Sequence, residues 1–181
     1  MPTDKTKYEY NLQPYSNNGD TTGKRNLNYY TTNLLPILKN IISKYPEITK
    51  SLLDLGCGNG RINSLTHDLF DKIHCVDPID SLHDKFKFKN ISYGKKHLHE
   101  ISDKFESILM VGSMHSIWGK YGKDTIGLLK NILNSYGILM IVSDTSNNIN
   151  ILDSEFKVID EFIFDDKITI LKIYKYERIG V

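Results

Sequence analysis

The chain has 181 residues, 40% of them hydrophobic, and its 23 Lys and Arg residues are balanced by 22 Asp and Glu residues. This length suits a single domain over residues 1–181 that buries about 70% of its unfolded surface, and the near-zero net charge excludes the overall positive field of a dedicated duplex-binding protein. Two cysteines and no apolar run long enough to cross a bilayer predict a soluble, cytoplasmic protein that does not contact a membrane.

The N-terminal part of the chain combines a polar segment with a predicted helix. Residues 1–26 are rich in Asn and Gly but contain three tyrosines, so we expect them to dock on the domain. Apolar residues at helical spacing predict a helix over 32–45, with Thr31 or Thr32 as its cap. Pro36 then falls near the first turn, where backbone amides lack partners in any case.

A glycine-rich turn follows the first predicted strand. The strand covers 51–55 and is apolar nearly throughout, as expected of a strand buried on both faces. Glycine then occupies every second position from Gly56 to Gly60, ahead of a helix predicted over 60–70. Such glycines allow positive φ and let a ligand approach bare N–H groups. The G-x-G-x-G spacing after Asp54 differs from the G-x-G-x-x-G of dinucleotide-binding folds.

The second predicted strand, 73–77, ends in a carboxylate seventeen residues after Gly60. Asp77 lies where a ribose diol could donate two hydrogen bonds to it. Its alternative role is that of a cap or turn residue ahead of Pro78. The two features, a glycine turn and an acid at the end of the next strand, are more specific together than either is alone.

Residues 86–91, Phe-Lys-Phe-Lys-Asn-Ile, alternate with period two and predict a third strand at the edge of the sheet, with one face exposed to solvent. The lysines over 85–96 could also form a phosphate-binding patch. His97, His99 and Glu100 resemble a metal site only superficially, because no second ligand cluster is visible, so we predict no metal and expect these side chains to be exposed.

The second half of the chain continues the same alternation of strands and helices. A fourth strand is predicted, followed by a loop at its carboxyl end, a helix, a fifth buried strand and a terminal hairpin. The predicted ranges are 105–111, 112–118, 124–134, 138–142, 156–164 and 167–176.

The stretch from Asp54 to Gly60 resembles the first motif of class I S-adenosylmethionine (SAM) dependent methyltransferases, and Asp77 stands where the second acid is expected. The resemblance covers residues 51–176. It implies an α/β fold with a doubly wound, mostly parallel seven-stranded sheet, in the order 3-2-1-4-5-7-6, with strand 7 antiparallel and helices on both faces. Residues 1–45 would then be an N-terminal lid and helix, and 46–181 the cofactor-binding core.

The resemblance also implies SAM as the cofactor. Asp54 and the backbone of the glycine turn would hold the methionine part, and Asp77 the ribose. Family members often carry an acid after strand three near the adenine amino group, where this chain has Ser92 to Lys95; Tyr93 could flank the base instead. The expected cofactor-binding residues are Asp54, Gly56, Cys57, Gly58, Gly60, Asp77, Pro78, Tyr93 and Gly112.

His115 is the candidate general base, because it follows strand four at the expected cleft and an unperturbed imidazole titrates near neutral pH. The alternative is that it packs beside the cofactor or caps the next segment. Trp118 and Tyr121 could form an aromatic wall for the acceptor or belong to the core. The Asn/Asp-Pro-Pro-Tyr signature of adenine methylation in nucleic acid is missing after strand four, which argues against that activity.

We therefore expect methyl transfer to a small-molecule hydroxyl or amine, such as a sugar or another metabolite. RNA or protein methylation in an open cleft and a catalytically silent partner subunit remain alternatives, and the oligomeric state is open. The segment 143–154 is too short for an inserted lid, so residues 1–26 are predicted to cover the site, with Tyr15, Lys24 and Arg25 as contacts.

Overall fold

The computed structural model describes residues 27–79, 82, 84–144 and 149–177. Seven of its segments are strands. They are Leu52–Leu55 (β1), Ile73–Asp77 (β2), Ile91–Lys95 (β3), Phe105–Val111 (β4), Leu133–Asp144 (β5), Lys157–Ile163 (β6) and Thr169–Lys175 (β7). The α-helices of these ranges are Leu27–Lys44 (α1), Asn63–Thr66 (α2), Met114–Tyr121 (α3) and Asp124–Ile132 (α4).

All seven strands belong to one sheet with the order β3-β2-β1-β4-β5-β7-β6. Strands β1 to β5 pair in parallel, whereas β7 is antiparallel to both β5 and β6. The predicted fold class and strand order are confirmed. The order reverses between β1 and β4, and the carboxyl ends of these two strands are where an open α/β sheet forms its ligand crevice.

Apolar side chains cover the sheet on both faces. Successive residues of a strand point to opposite faces, so Leu52 joins the cluster under α1, while Leu53 joins the cluster under α4. Asp54 points to the same face of the sheet as Leu52, the face that α1 covers, and only 2% of its surface is exposed. Two-sided burial explains why β1 reads as a continuous apolar run with a single acid in it.

Helix α1 begins at Leu27, earlier than the predicted start near 32. Tyr30 is buried and extends the apolar stripe by one turn toward the N-terminus. Thr31 is not the cap that we expected, because its hydroxyl donates to the Leu27 carbonyl 2.9 Å away. Pro36 consequently lies inside the helix, where packing against the sheet must compensate for the backbone hydrogen bond that proline removes.

The helix predicted over 60–70 is reduced to the short α2. Gly60 has φ +82° and therefore cannot start a right-handed helix. At the other end, the Asn90 side-chain amide donates to the carbonyls of His67 (2.8 Å) and Phe70 (2.7 Å), which satisfies them outside a helix. The glycine turn thus leads into a compact loop that is fixed by side-chain hydrogen bonds.

Strand β3 occupies 91–95, so the predicted strand over 86–91 was wrong in position. Phe86 and Phe88 alternate with lysine but do not face a neighbouring strand. Phe86 is buried near the glycine turn, and the Phe88 ring stacks on His67 with centroids 3.8 Å apart. The edge position of the third strand is confirmed.

The segment predicted as a loop over 112–118 mostly forms α3, which ends at Tyr121 and is followed by Gly122 as its C-cap with φ +55°. Helix α4 ends at Ile132, two residues before the predicted end, and β5 begins directly at Leu133. Strands β6 and β7 start and end within two residues of the predicted hairpin.

None of the helices in the described ranges has both the length and the hydropathy that a bilayer span requires. The predicted lid over 1–26, with Tyr15, Lys24 and Arg25, lies outside the described residues.

Candidate functional site

The loops after β1 and β4 touch each other. Gly56 has φ +77°, and a Cβ atom added to it would lie 2.3 Å from the Ser113 Cβ. The Ser113 hydroxyl donates to the Leu55 carbonyl 2.6 Å away, which ties the two loops together. Only a residue without a side chain fits at position 56, so this glycine is required by the contact as well as by its backbone conformation.

Asp77 connects the end of β2 to the glycine turn. One of its carboxylate oxygens accepts a hydrogen bond from the Gly58 N–H (3.0 Å), and the other accepts one from the Ile79 N–H (2.9 Å). Burial raises the pKa of Asp77, while these two amides act in the opposite direction. The turn role that we considered for Asp77 is therefore real. Because a carboxylate has about four acceptor positions, it retains capacity for a ligand.

A small cavity of about 50 Å³ lies beside the glycine turn. Asp54 and Arg61 both line it. Each also has one buried atom without a hydrogen-bond partner among the described residues, Oδ2 of Asp54 and Nη1 of Arg61. The Arg61 guanidinium also lies over the Tyr30 ring of α1, 5.2 Å from its centroid. The cavity is lined by Asp54, Gly56, Cys57, Gly58, Asn59, Arg61, Ile62 and Val111.

The carboxyl group of Asp54 has a raised pKa. Its burial, followed by the negative charge of Asp77, raises the pKa of the Asp54 carboxyl to about 7. An unpartnered buried polar group is costly, and unexplained ones are rare in native proteins. An acid and a guanidinium that line one cavity, each with a buried atom that lacks a hydrogen-bond partner among the described residues, suit a ligand carrying both an ammonium and a carboxylate group.

A larger cavity of about 190 Å³ shares Gly56 with the small one and is also lined by Asp77. Much of its wall is apolar, and its polar groups gather where α3 approaches the turn after β3. The apolar lining residues are Leu55, Val76, Pro78, Ile79, Leu98 and Ile117. The polar lining residues are Asp77, Lys96, His97, Ser113, Ser116, Lys120 and Tyr121.

The structure brings most of the predicted cofactor-binding residues to these two cavities. Asp54, Gly56, Cys57 and Gly58 line the small cavity, and Gly56, Asp77 and Pro78 line the large one. Gly60 acts through the backbone, because its N–H donates to the Cys57 carbonyl at the closure of the turn. Gly112 follows β4 with φ +73° but lines neither cavity.

Tyr93 is not at the position that the sequence predicted. It lies within β3 instead of after it, and its hydroxyl donates to the Ile79 carbonyl. The residues that follow β3 and line the large cavity are Lys96, His97 and Leu98. Because the third strand was predicted too early in the sequence, Tyr93 was expected to follow it and flank the base, whereas it lies inside β3.

His115 is exposed in the first turn of α3 and lines neither cavity, whereas its neighbours Ser116 and Ile117 line the large one. Its role as a general base stays a prediction. Trp118 packs against the apolar cluster under α4, while Tyr121 does reach the large cavity.

Sequence reasoning missed Arg61 and Lys120 as lining residues and took His97 for an exposed side chain. Arg61 directly follows the glycine turn, which places it near the predicted site, but its residue type did not mark it as a lining residue. His97 instead begins a turn of 3₁₀-helix, Leu98–Glu100, as part of a capping box with Glu100. The two cysteines are buried and free. A hydrogen bond with Cys75 and burial raise the pKa of the Cys57 thiol, so that it stays protonated.

The sequence matches no family model and no curated protein. Solved structures with the same architecture do exist. A SAM-dependent methyltransferase from Aquifex aeolicus is 13% identical with a TM-score of 0.62, and the match covers 95% of this chain and 98% of that protein.

Two further matches have similar scores. N-methyltransferase NodS from Bradyrhizobium japonicum WM9, in complex with S-adenosyl-L-homocysteine, is 12% identical with a TM-score of 0.60, over 94% of this chain and 97% of NodS. A TehB-like SAM-dependent methyltransferase from Corynebacterium glutamicum is 16% identical with a TM-score of 0.57, over 77% and 86% of the two chains. The chain thus has the fold of class I SAM-dependent methyltransferases.

Proposed function

We propose that this protein binds SAM across the two cavities and transfers its methyl group to a small-molecule hydroxyl or amine. The observation that carries the proposal is the pair of unpartnered groups, Asp54 and Arg61, in a cavity that adjoins Asp77. The methyltransferase fold supports it, as does the NodS structure with S-adenosyl-L-homocysteine.

The described residues fit the chemical parts of SAM. The methionine end carries an ammonium group that suits Asp54 and a carboxylate that suits Arg61. A ribose diol can donate to the free acceptor positions of Asp77, and the apolar walls of the large cavity suit a flat base. When bound, SAM supplies a methyl group that its sulfonium has already made electrophilic.

The protein's own contribution is to fix positions and to exclude water. The Ser113 hydroxyl holds the loop after β4 against the end of β1, and the Gly58 amide holds the glycine turn against Asp77. Holding two reactants in a productive geometry can contribute about 7–11 kcal/mol to the lowering of a barrier. We propose that residues 1–26 complete the cover over the acceptor, because α1 approaches the small cavity through Tyr30.

Calorimetry with S-adenosyl-L-homocysteine tests cofactor binding, and no binding at millimolar ligand would refute the proposal. A panel of sugars, small amines, carboxylates and RNA, assayed for release of the demethylated cofactor, then tests the acceptor class. Turnover on RNA alone would replace the small-molecule proposal. Tight binding without turnover on any acceptor would favour a catalytically silent subunit.

Cofactor affinity is expected to rise about tenfold between pH 6 and pH 8. A ligand ammonium binds the ionised form of Asp54, and a carboxyl with a pKa of about 7 is about one tenth ionised at pH 6 and nine tenths at pH 8. Affinity therefore increases with pH through this pKa.

The pKa of Asp77 is raised as well, so the variant Asp54→Asn is needed to show that the pH dependence comes from Asp54. Titrations of S-adenosyl-L-homocysteine from pH 6 to pH 8 should lose their slope in Asp54→Asn. A flat wild-type profile would contradict the assignment.

Asp77→Ala is expected to weaken binding of S-adenosyl-L-homocysteine by about 1.5–3 kcal/mol, the usual contribution of a hydrogen bond to a charged group. The variant should still fold, although loss of the acceptor for Gly58 loosens the glycine turn. Asp71→Ala is the matched control, since this acid is exposed just before β2 and lines neither cavity. An unchanged dissociation constant in Asp77→Ala would place the ribose elsewhere.

A further inference from the structure

The polar end of the large cavity is dominated by hydrogen-bond donors. Apart from Asp77, whose backbone carbonyl accepts a hydrogen bond from the Lys96 N–H, its charged lining groups are the cations Lys96 and Lys120, and His97 lies with them. Ser116 and Tyr121 also line the cavity, and the Tyr121 hydroxyl is hydrogen-bonded to Nδ1 of His99 (2.8 Å).

The hydrogen bonds of His97 fix which of its ring nitrogens carries the proton. The Lys120 ammonium lies 2.7 Å from Nδ1 of His97. Because an ammonium group has only donors, Nδ1 must accept, and the imidazole proton resides on Nε2. Burial, followed by the charge of Lys120, lowers the pKa of His97 and keeps the ring neutral near pH 7. His97 therefore offers one ring donor and has no ring acceptor left.

The backbone of His97 is equally constrained. Its N–H donates to the Glu100 carboxylate (2.6 Å), and the capping box places His97 at the start of the 3₁₀ turn. Both the position of the ring and its tautomer are thus set before a ligand arrives, which is the preorganisation that a specificity-determining side chain needs.

We propose that His97, held by Lys120, recognises the purine of the cofactor by donating a hydrogen bond to an acceptor on the ring. This inference depends on the proposed function. The charged end of the cofactor occupies the Asp54 and Arg61 cavity. Asp77 lines the large cavity and accepts a hydrogen bond from Gly58 of the small one, so the base is left with the large cavity. A donor edge does not require the 6-amino group of adenine, so a 6-oxo purine, which presents an acceptor at that position, also fits.

The test compares S-adenosyl-L-homocysteine with S-inosyl-L-homocysteine, which differ by a 6-amino and a 6-oxo group. Calorimetry at pH 7.5 is expected to give dissociation constants within about tenfold of each other for the wild-type protein. His97→Asp keeps a good cap residue at the start of the 3₁₀ turn but replaces a donor by an acceptor. It should raise the preference for the adenosyl ligand by about tenfold or more, since a carboxylate accepts from the amino group and repels the oxo group.

Lys89→Asp is the control, because Lys89 is exposed just before β3 and lines neither cavity, and the substitution introduces the same carboxylate. Its ligand preference should equal that of the wild type. A wild-type preference for the adenosyl ligand above about a hundredfold would overturn the inference, as would an unchanged preference in His97→Asp. Failure of the adenosyl ligand to bind at all would instead refute the proposed function.

Discussion

Arg61→Met is expected to weaken binding of S-adenosyl-L-homocysteine by about a hundredfold or more, a loss near 3 kcal/mol. The Nη1 atom of Arg61 is buried and has no hydrogen-bond partner among the described residues, so a ligand carboxylate gains a charge-assisted contact there. The affinity of Arg61→Lys should lie between those of the wild type and Arg61→Met. An ammonium group retains the charge but not the planar guanidinium that pairs with both carboxylate oxygens.

The control for Arg61→Met is a second ligand. 5′-Methylthioadenosine has the same nucleoside but lacks the amino-acid end, so its affinity should be nearly unchanged in Arg61→Met. Lys50→Met removes an exposed cation that lines neither cavity and should affect neither ligand. Equal losses for both ligands would indicate damage to the fold, and no loss for either would place the carboxylate away from Arg61.

The sheet could be predicted because most of its strands are marked by burial on both faces. Strands β1, β4 and β5 read as apolar runs, since their side chains alternate between two apolar clusters. The glycine turn and Asp77 were also visible, because each depends on a local requirement: positive φ at the turn, and a carboxylate at the end of β2. The order of the strands followed from the family resemblance.

The position of β3 could not be predicted from periodicity. Phe86 and Phe88 alternate with lysine as a strand would, but their partners are the glycine turn and the His67 ring, which are distant in sequence. Such tertiary contacts override local pattern. The error also placed the residues expected after β3 at 92–95, whereas the residues that follow the strand are Lys96 and His97.

The bounds of the helices also depend on tertiary contacts that local sequence patterns do not contain. The early start of α1 depends on Tyr30, whose burial is determined by the helix packing over Arg61 and the sheet. Helix α3 was predicted as a loop because its core contacts, beginning with Met114, involve the cluster under α4. Neither signal is contained in the spacing of local apolar residues.

Arg61 and Lys120 were missed for a different reason. A cation next to a glycine turn or on a helix is ordinarily solvated, so residue type alone gives no reason to choose it. Its importance arises from an absent partner in one case and from the imidazole of His97 in the other. Both are properties of the folded chain.

Gly56→Ala is expected to reduce the free energy of unfolding by about 3 kcal/mol and to abolish cofactor binding. The left-handed conformation at φ +77° costs an L residue about 1–2 kcal/mol. A Cβ atom 2.3 Å from that of Ser113 forces the loop after β4 to move, and overpacking of this kind costs about 1–3 kcal/mol. Urea unfolding measures the sum. Gly127→Ala in α4, where nothing lies within 4 Å of the added methyl group, should have the opposite sign.

The contact between Gly56 and Ser113 can be isolated with a double-mutant cycle. Ser113→Gly alone should cost about 1 kcal/mol through loss of the hydrogen bond to the Leu55 carbonyl. In Gly56→Ala with Ser113→Gly, the steric part of the cost disappears and only the conformational part remains, so we expect a favourable coupling of about 1–3 kcal/mol. Strictly additive effects would show that position 56 is limited by its backbone alone. In that case the close approach of the loops after β1 and β4 would not constrain the two cavities that Gly56 lines.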